Sequence, residues 1–273
     1  MSFYRGMDRD ALGRAYNNGA AVPDAADKMA DYGRRSAAVY DSFDVKRDLA
    51  YGDGARQRLD WIPGPRVGAP TLAFIHGGYW QARAKEDFAH VAAGPLARGF
   101  NVALIEYTLG PGARMGEIVD EIGQAVDFLA SCLADWGADP RRLCLSGHSA
   151  GGHLAACHRN HPAVSLVLGI SGLYDLEPIR LCYLNDKLDL TPAEVAAHSP
   201  ELQVAPGART LLTVGAVELP ELIRHSADYA ARLREHGETV AEIAAPGHDH
   251  FTVLETVALP DGPALEAVAL AFS

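Results

Sequence analysis

The chain has 273 residues, 48% of them hydrophobic, enough for one sizeable core. Its 35 acidic residues against 24 basic ones give a formal net charge of -11, which repels phosphate backbones and anionic lipid and argues against nucleic-acid and membrane partners. Cys132, Cys144, Cys157 and Cys182 are widely separated with no CxxC pair, so reduced thiols packed as small hydrophobes are expected rather than a disulfide framework.

In chain order, the segment from Met1 to Asp10 carries Arg5, Asp8, Arg9 and Asp10 and no continuous apolar run, so neither a secretory signal nor a membrane span is read there. A soluble, cytoplasmic protein is expected. Residues 1–43 are Ala-rich and polar and predict a helical extension laid against the outside of the domain. Residues 44–49 and 57–62 alternate as half-exposed strands do, and Gly52-Asp53-Gly54 between them is a turn, which predicts an antiparallel edge.

From Thr71 the pattern changes to near-continuous apolar runs, at 71–75, 101–105, 143–146, 164–170, 210–214 and 239–244, separated by helical stretches. Strands covered on both faces look like this in a parallel sheet. The clearest helix places Ile118, Ile122, Val126, Leu129 and Leu133 on one stripe and ends near Trp136-Gly137, with Asp139-Pro140 turning the chain into the next strand. The count is about eight strands in a mostly parallel sheet with helices on both faces. No linker, charge block or repeat divides it, so residues 1–273 are read as a single α/β domain. Residues 171–207 break the rhythm: too long for an ordinary connection and without a strand, they are read as a lid or substrate-wall insertion.

The pentapeptide Gly147-His148-Ser149-Ala150-Gly151 lies between an apolar run and a helix-like stretch. A sharp strand-to-helix turn forces backbone atoms together, so only glycine fits two positions either side, and the turn aims the Ser149 hydroxyl outward as a nucleophile. A second motif, His76-Gly77-Gly78-Tyr79-Trp80, directly follows the run at 71–75. The N–H groups of Gly77 and Gly78, with that of Ala150, are candidate donors to the oxyanion that forms when a carbonyl is attacked. Tyr79 and Trp80 extend from this loop, and with Tyr183 of the insertion they are candidate substrate-binding residues. His76 is expected to hold its own loop by bonding backbone.

A general base is expected late in the chain, and Gly247-His248-Asp249-His250-Phe251 offers two histidines. His250 is preferred over His248 because Phe251 can pack the loop behind it. The acid that orients the imidazole is assigned to Glu218, after the run at 210–214, with Asp175 the alternative and Glu221 and Asp249 behind it. His153 is expected in the core, and His158 with His161 at a wet helix end. His248 and His250 lack a third ligand cluster, so no metal is expected.

These motifs resemble the α/β-hydrolase fold, in the branch holding hormone-sensitive-lipase-like esterases and kynurenine formamidases. The likeness rests on His76-Gly77-Gly78-Tyr79-Trp80 and Gly147-His148-Ser149-Ala150-Gly151. Tyr16-Asn17-Asn18, Ser171-Gly172-Leu173-Tyr174-Asp175-Leu176, His198-Ser199-Pro200 and Asp249-His250-Phe251 extend it over nearly the whole chain. It implies a serine hydrolase with nucleophile Ser149, base His250, oxyanion donors Gly77, Gly78 and Ala150, and no metal or organic cofactor. The family pattern usually has Asp where this chain has Glu218. The expected reaction is cleavage of a small ester or aryl formamide through an acyl-enzyme, with N-formylkynurenine as the candidate the likeness implies and a homodimer left open. A general carboxylesterase or deacetylase on short acyl esters is the alternative, and a non-catalytic ligand-binding protein of the same fold is the reading from another class.

Overall fold

The computed structural model describes residues 4–273, so residues 1–3 of the Met1–Asp10 segment lie outside it. Eight strands form one sheet: β1 (Lys46–Ala50), β2 (Arg58–Ile62), β3 (Ala69–Ile75), β4 (Asn101–Ile105), β5 (Ala138–His148), β6 (Leu166–Ile170), β7 (Arg209–Gly215) and β8 (Val240–Ala245). Their spatial order is β1-β2-β4-β3-β5-β6-β7-β8. From β4 to β8 all neighbours are parallel, whereas β2 pairs antiparallel with β4 and β1 antiparallel with β2.

Burial along the strands follows from this order. Every residue of β4 and β6 is buried, while the edge strand β1 is mostly exposed and β8 at the other edge is only partly covered. Successive side chains point to opposite faces, so β3 sends Leu72 and Phe74 into one hydrophobic cluster and Ala73 and Ile75 into another.

The helices are α1 (Arg9–Ala15), α2 (Asn18–Ala21), α3 (Ala25–Ser42), α4 (Ala93–Ala97), α5 (Met115–Cys132), α6 (Ala150–Cys157), α7 (Glu177–Arg180), α8 (Asn185–Leu188), α9 (Pro192–His198), α10 (Pro220–Glu235), α11 (Glu255–Ala258) and α12 (Pro263–Ala271). On one face of the sheet α5 packs its stripe of Ile118, Ile122, Val126 and Leu129 beside α6; on the other, α12 packs Ala264 and Val268. The first turn of α5 is closed by Glu117, whose carboxylate accepts from the Arg114 N–H at 2.7 Å.

Three features differ from the sequence reading. Strand β5 begins at Ala138 rather than Leu143. The turn at Asp139-Pro140 exists, with Asp139 Oδ1 accepting from the Arg141 N–H at 3.0 Å, but it is absorbed as an irregularity in the pairing of β3 with β5.

The N-terminal extension is not laid outside the domain. Leu12 and Tyr16 belong to the cluster on one face, Tyr32 and Val39 to the cluster on the other. The chain between them therefore crosses from one layer to the other.

Residues 171–207 are a packed layer rather than a flap. Leu173, Leu176, Ile179, Cys182, Leu184, Leu188 and Val195 are all buried in the α5 cluster. Arg114, just before α5, clamps the segment through Asp189 at 2.6 Å and Glu194 at 3.1 Å. The apolar residues that made the insertion resemble a substrate wall are used to cover α5 and α6.

The four cysteines are free thiols. Burial pushes Cys157 up to about 12 and Cys144 higher still, so neither is a ready thiolate. Among the described residues no helix is long and apolar enough to cross a membrane.

Candidate active site

Strand β5 ends at His148 and α6 begins at Ala150, so Ser149 alone makes the turn between them, at φ 54° and ψ -117°. A non-glycine residue in that region is strained and is held there by its surroundings. The Ser149 N–H donates to the Ile170 carbonyl at 2.8 Å. The flanking glycines allow the approach: a Cβ on Gly147 would lie 2.1 Å from the Gly151 carbonyl oxygen, and one on Gly151 would lie 2.0 Å from that of Ile75.

The loop after β3 comes to the same place. A Cβ on Gly77 would sit 3.2 Å from Ser149 Cβ and 3.1 Å from His148 Nδ1. Gly78, Tyr79 and Trp80 all have positive φ, at 117°, 51° and 57°. This run of left-handed residues reverses the chain. His76 anchors it from beneath, with Nδ1 2.7 Å from the Gly77 carbonyl and Nε2 2.9 Å from Glu106 Oε1. Burial opposes ionisation of Glu106, but the His76 contact, the Tyr107 N–H and Arg56 outweigh it and hold the carboxyl below its ordinary range.

His250 is brought in from the loop after β8. Its Nδ1 lies 2.6 Å from Glu218 Oε2, and the other Glu218 oxygen accepts from Ser171 Oγ at 2.5 Å and from the Gly215 N–H at 2.8 Å. All of these groups are buried.

The competing acids are engaged elsewhere. Asp175 accepts from the Tyr4 hydroxyl and the Glu177 N–H, and Glu221 is taken up by Tyr16 and Arg224. Asp249 caps the turn at Phe251 and Thr252 and pairs with Lys28 at 3.1 Å. His248 is half-buried, away from the cavity described next.

Ser149 and His250 line one cavity of about 180 Å³ with Asn18, Gly19, Met29, Gly78, Tyr79, Arg83, Phe88, His148 and Phe251. Of the predicted substrate-binding residues, only Tyr79 is there. Trp80, the last of the three left-handed residues, is fully buried and packs edge-on against His153 at 5.0 Å. Tyr183 is 43% exposed and leans on α1 beside Gly13. No residue of 171–207 lines this cavity; the N-terminal Asn18, Gly19 and Met29 do. The wall assigned to the insertion is thus built by the extension.

Larger cavities exist, one beside Cys157 and His198 and one beside Arg66 and Arg142, but neither contains Ser149 or His250.

Helix α3 also steadies the loop that carries His250. The Tyr32 hydroxyl donates to the Phe251 carbonyl, and Arg35 Nη2 donates to Glu255 Oε2 at 3.0 Å.

One histidine carries a contact that the sequence reading did not address, and another differs from expectation. His148, only a spacer within the pentapeptide, donates from Nε2 to the His250 carbonyl at 2.8 Å. His158 is not at a wet helix end but half-buried, donating to the Val119 carbonyl at 2.8 Å, whereas His161 does face an exposed carboxylate, Asp127, at 3.1 Å. His153 is buried and donates to the His198 carbonyl at 2.7 Å; burial pushes it down to about 3.

Comparison with known proteins agrees with this architecture. The BD-FAE family matches residues 63–176, from the end of β2 past the pentapeptide. A crystal structure of a candidate thioesterase from Silicibacter sp. tm1040 superposes with a TM-score of 0.86 at 29% identity, covering 96% of this chain and 99% of that one. The chain has the α/β-hydrolase fold.

Among curated relatives of this chain, kynurenine formamidase of Salmo salar is 29% identical over 226 residues, 76% of this chain and 75% of the relative. The isoprenylcysteine alpha-carbonyl methylesterase of Arabidopsis thaliana is 33% identical over 115 residues, 41% of this chain and 27% of the relative. An esterase from Pyrobaculum calidifontis shares the fold with a TM-score of 0.71 at 20% identity, over 97% of this chain and 96% of that one. Hydrolase activity of the esterase or formamidase kind is what these relatives support.

Proposed function

We propose that this chain is a serine hydrolase that cleaves small aryl formamides or carboxylic esters through an acyl-enzyme, with N-formylkynurenine as substrate. One observation carries the reading: a strained serine and a histidine bonded to a buried carboxylate line a single small cavity.

In this mechanism Glu218 accepts from Nδ1–H of His250 and so fixes the tautomer whose Nε2 is free to act as base. His250 Nε2 takes the proton as Ser149 Oγ attacks the carbonyl carbon, and the oxygen becomes an oxyanion facing the N–H groups of Gly77, Gly78 and Ala150. Collapse breaks the bond to the leaving amine or alcohol, which takes the proton from Nε2. Water then enters and attacks the acyl-serine as it gives a proton to Nε2; collapse breaks the bond to Ser149 Oγ, which takes that proton back, and the acid, formate in the case of a formamide, leaves.

The cavity walls favour an aryl substrate. Phe88, Phe251 and Tyr79 offer aromatic faces, and Arg83 is the only Lys or Arg among the residues around the cavity. That single cation suits a substrate carrying a carboxylate, as N-formylkynurenine does. Short acyl esters are the second reading, favoured by the esterase relatives, because both reactions pass through the same oxyanion.

Turnover of N-formylkynurenine and of aryl acetates, with fluorophosphonate labelling of wild type and Ser149→Ala, tests the proposal. Labelling that disappears in Ser149→Ala and formamide turnover at or above the ester rate are expected. Folded protein that takes no label would reduce it to a ligand-binding protein of this fold.

A further inference from the structure

The N-terminal extension brings to the cavity wall a polar residue, Asn18, for which the mechanism above has no use. Asn17 and Asn18 stand side by side at the start of α2, and they divide the work. Asn17 Oδ1 caps the helix by accepting from the Ala20 N–H at 3.1 Å. The side chain of Asn18 is thereby left to point elsewhere, and Asn18 is one of the residues around the cavity that holds Ser149 and His250.

Its amide orientation follows from a neighbour. The Tyr79 hydroxyl has one proton, which it donates to the Tyr16 carbonyl at 2.6 Å. Its oxygen can then only accept, and the Asn18 side chain lies 3.2 Å away. The group facing Tyr79 must therefore be the NH₂ of Asn18, and Oδ1 is turned away from it. Asn18 is 5% exposed, and no donor among the described residues reaches Oδ1. A buried amide oxygen without a donor is uncommon and carries a desolvation cost that a bound donor relieves.

We infer that Asn18 Oδ1 accepts the N–H of a bound aryl formamide and makes the site discriminate amides from esters. The inference rests on the hydrolase reading given above and names the group that sets its substrate class. An ester has only lone pairs where an anilide has its N–H, so the same oxygen that attracts the amide repels the ester and stays unpaired beside it. A site built to hydrogen-bond a substrate N–H rejects an analogue that lacks it more strongly than a hydrophobic pocket rejects a change of size. Asn18 is a specificity-determining residue in this scheme, and the proton transfers remain with His250.

Formanilide and phenyl formate share the acyl group and the ring and differ in N–H against O, so they are the test pair. We would measure kcat/KM for both with wild type, Asn18→Leu and Ser149→Ala, and confirm folding by circular dichroism and thermal unfolding. Asn18→Ala serves if the leucine variant does not fold.

Loss of about tenfold or more on formanilide, with phenyl formate changed by less than about threefold, is the expected result. Equal losses on the two substrates would mean that Asn18 only supports Tyr79, and would overturn the inference while leaving the hydrolase reading intact. A wild type inactive on both substrates, or turnover that survives Ser149→Ala, would remove the hydrolase reading and the inference with it.

Discussion

The Nε2 of His148 lies 2.8 Å from the backbone carbonyl of His250, and the two imidazoles are 4.6 Å apart. The residue that precedes the proposed nucleophile therefore holds the backbone of the proposed base. Burial, reinforced by the neighbouring His250, pushes His148 well below the ordinary imidazole range, so the ring is neutral and adds no charge beside His250 when that residue takes a proton. His148→Phe keeps the volume and loses the donor. It should lower kcat about tenfold to a hundredfold, the cost of a small displacement of a reacting group, with KM changed by less than about threefold. His148→Gln, which retains a donor, should recover part of the loss in the same steady-state assay.

Glu218 makes a sharper case. One oxygen faces the His250 ring, while the other receives the Gly215 N–H and the Ser171 hydroxyl. In Glu218→Gln the fixed Gly215 N–H demands the amide oxygen on its side, which turns the NH₂ toward Nδ1 of His250. The imidazole must then carry its proton on Nε2, where it cannot accept from Ser149. A loss in kcat of about 10³–10⁴ is expected, with unfolding temperature little changed. Turnover within tenfold of wild type would take the acid role away from this residue.

Arg83 tests the substrate rather than the chemistry. If this cation on the cavity wall meets a substrate carboxylate, Arg83→Ala should raise KM for N-formylkynurenine about tenfold and leave that for neutral phenyl formate within about twofold. Equal effects on both would point to a change in the loop rather than a lost ion pair.

Much of the fold was legible because buried parallel strands leave a continuous apolar run. The β4 strand (Asn101–Ile105) coincides with the run read at 101–105. The start of β5 was not legible, because the cue at Asp139-Pro140 is real but local, and pairing with Ala69 carries the strand through it. The two misread walls share a cause. Leu176, Ile179 and Leu188 announce burial but not against what, and they cover α5 and α6 instead of a substrate. Asn18 and Met29 sit in a polar, Ala-rich stretch with no signal that it crosses the rim of the sheet. In the same way the loop motif drew attention to Trp80, but only its backbone torsion decides that Tyr79 faces the cavity and Trp80 the core.

Stability should fall steeply with acid, and the histidines account for much of it. Burial pushes His90 and His153 down to about 3, and His148 and His225 well below the ordinary value. In the unfolded chain each returns to about 6.5, so below that pH the unfolded state binds protons that the folded state refuses. More protons on the unfolded side means that stability rises with pH through this range and is lost as pH drops below about 6.5. Each such histidine contributes roughly 1.4 kcal/mol per pH unit once it is well below its unfolded value. His90 is the cleanest probe, since neither ring nitrogen has a partner among the described residues and the ring stacks on Tyr32 at 4.1 Å. Urea unfolding of wild type and His90→Phe between pH 7.5 and 5.5 should show the variant losing stability less steeply, by a slope difference that grows to about one proton at pH 5.5. Parallel slopes would mean that His90 takes up its proton in the folded protein, despite the burial.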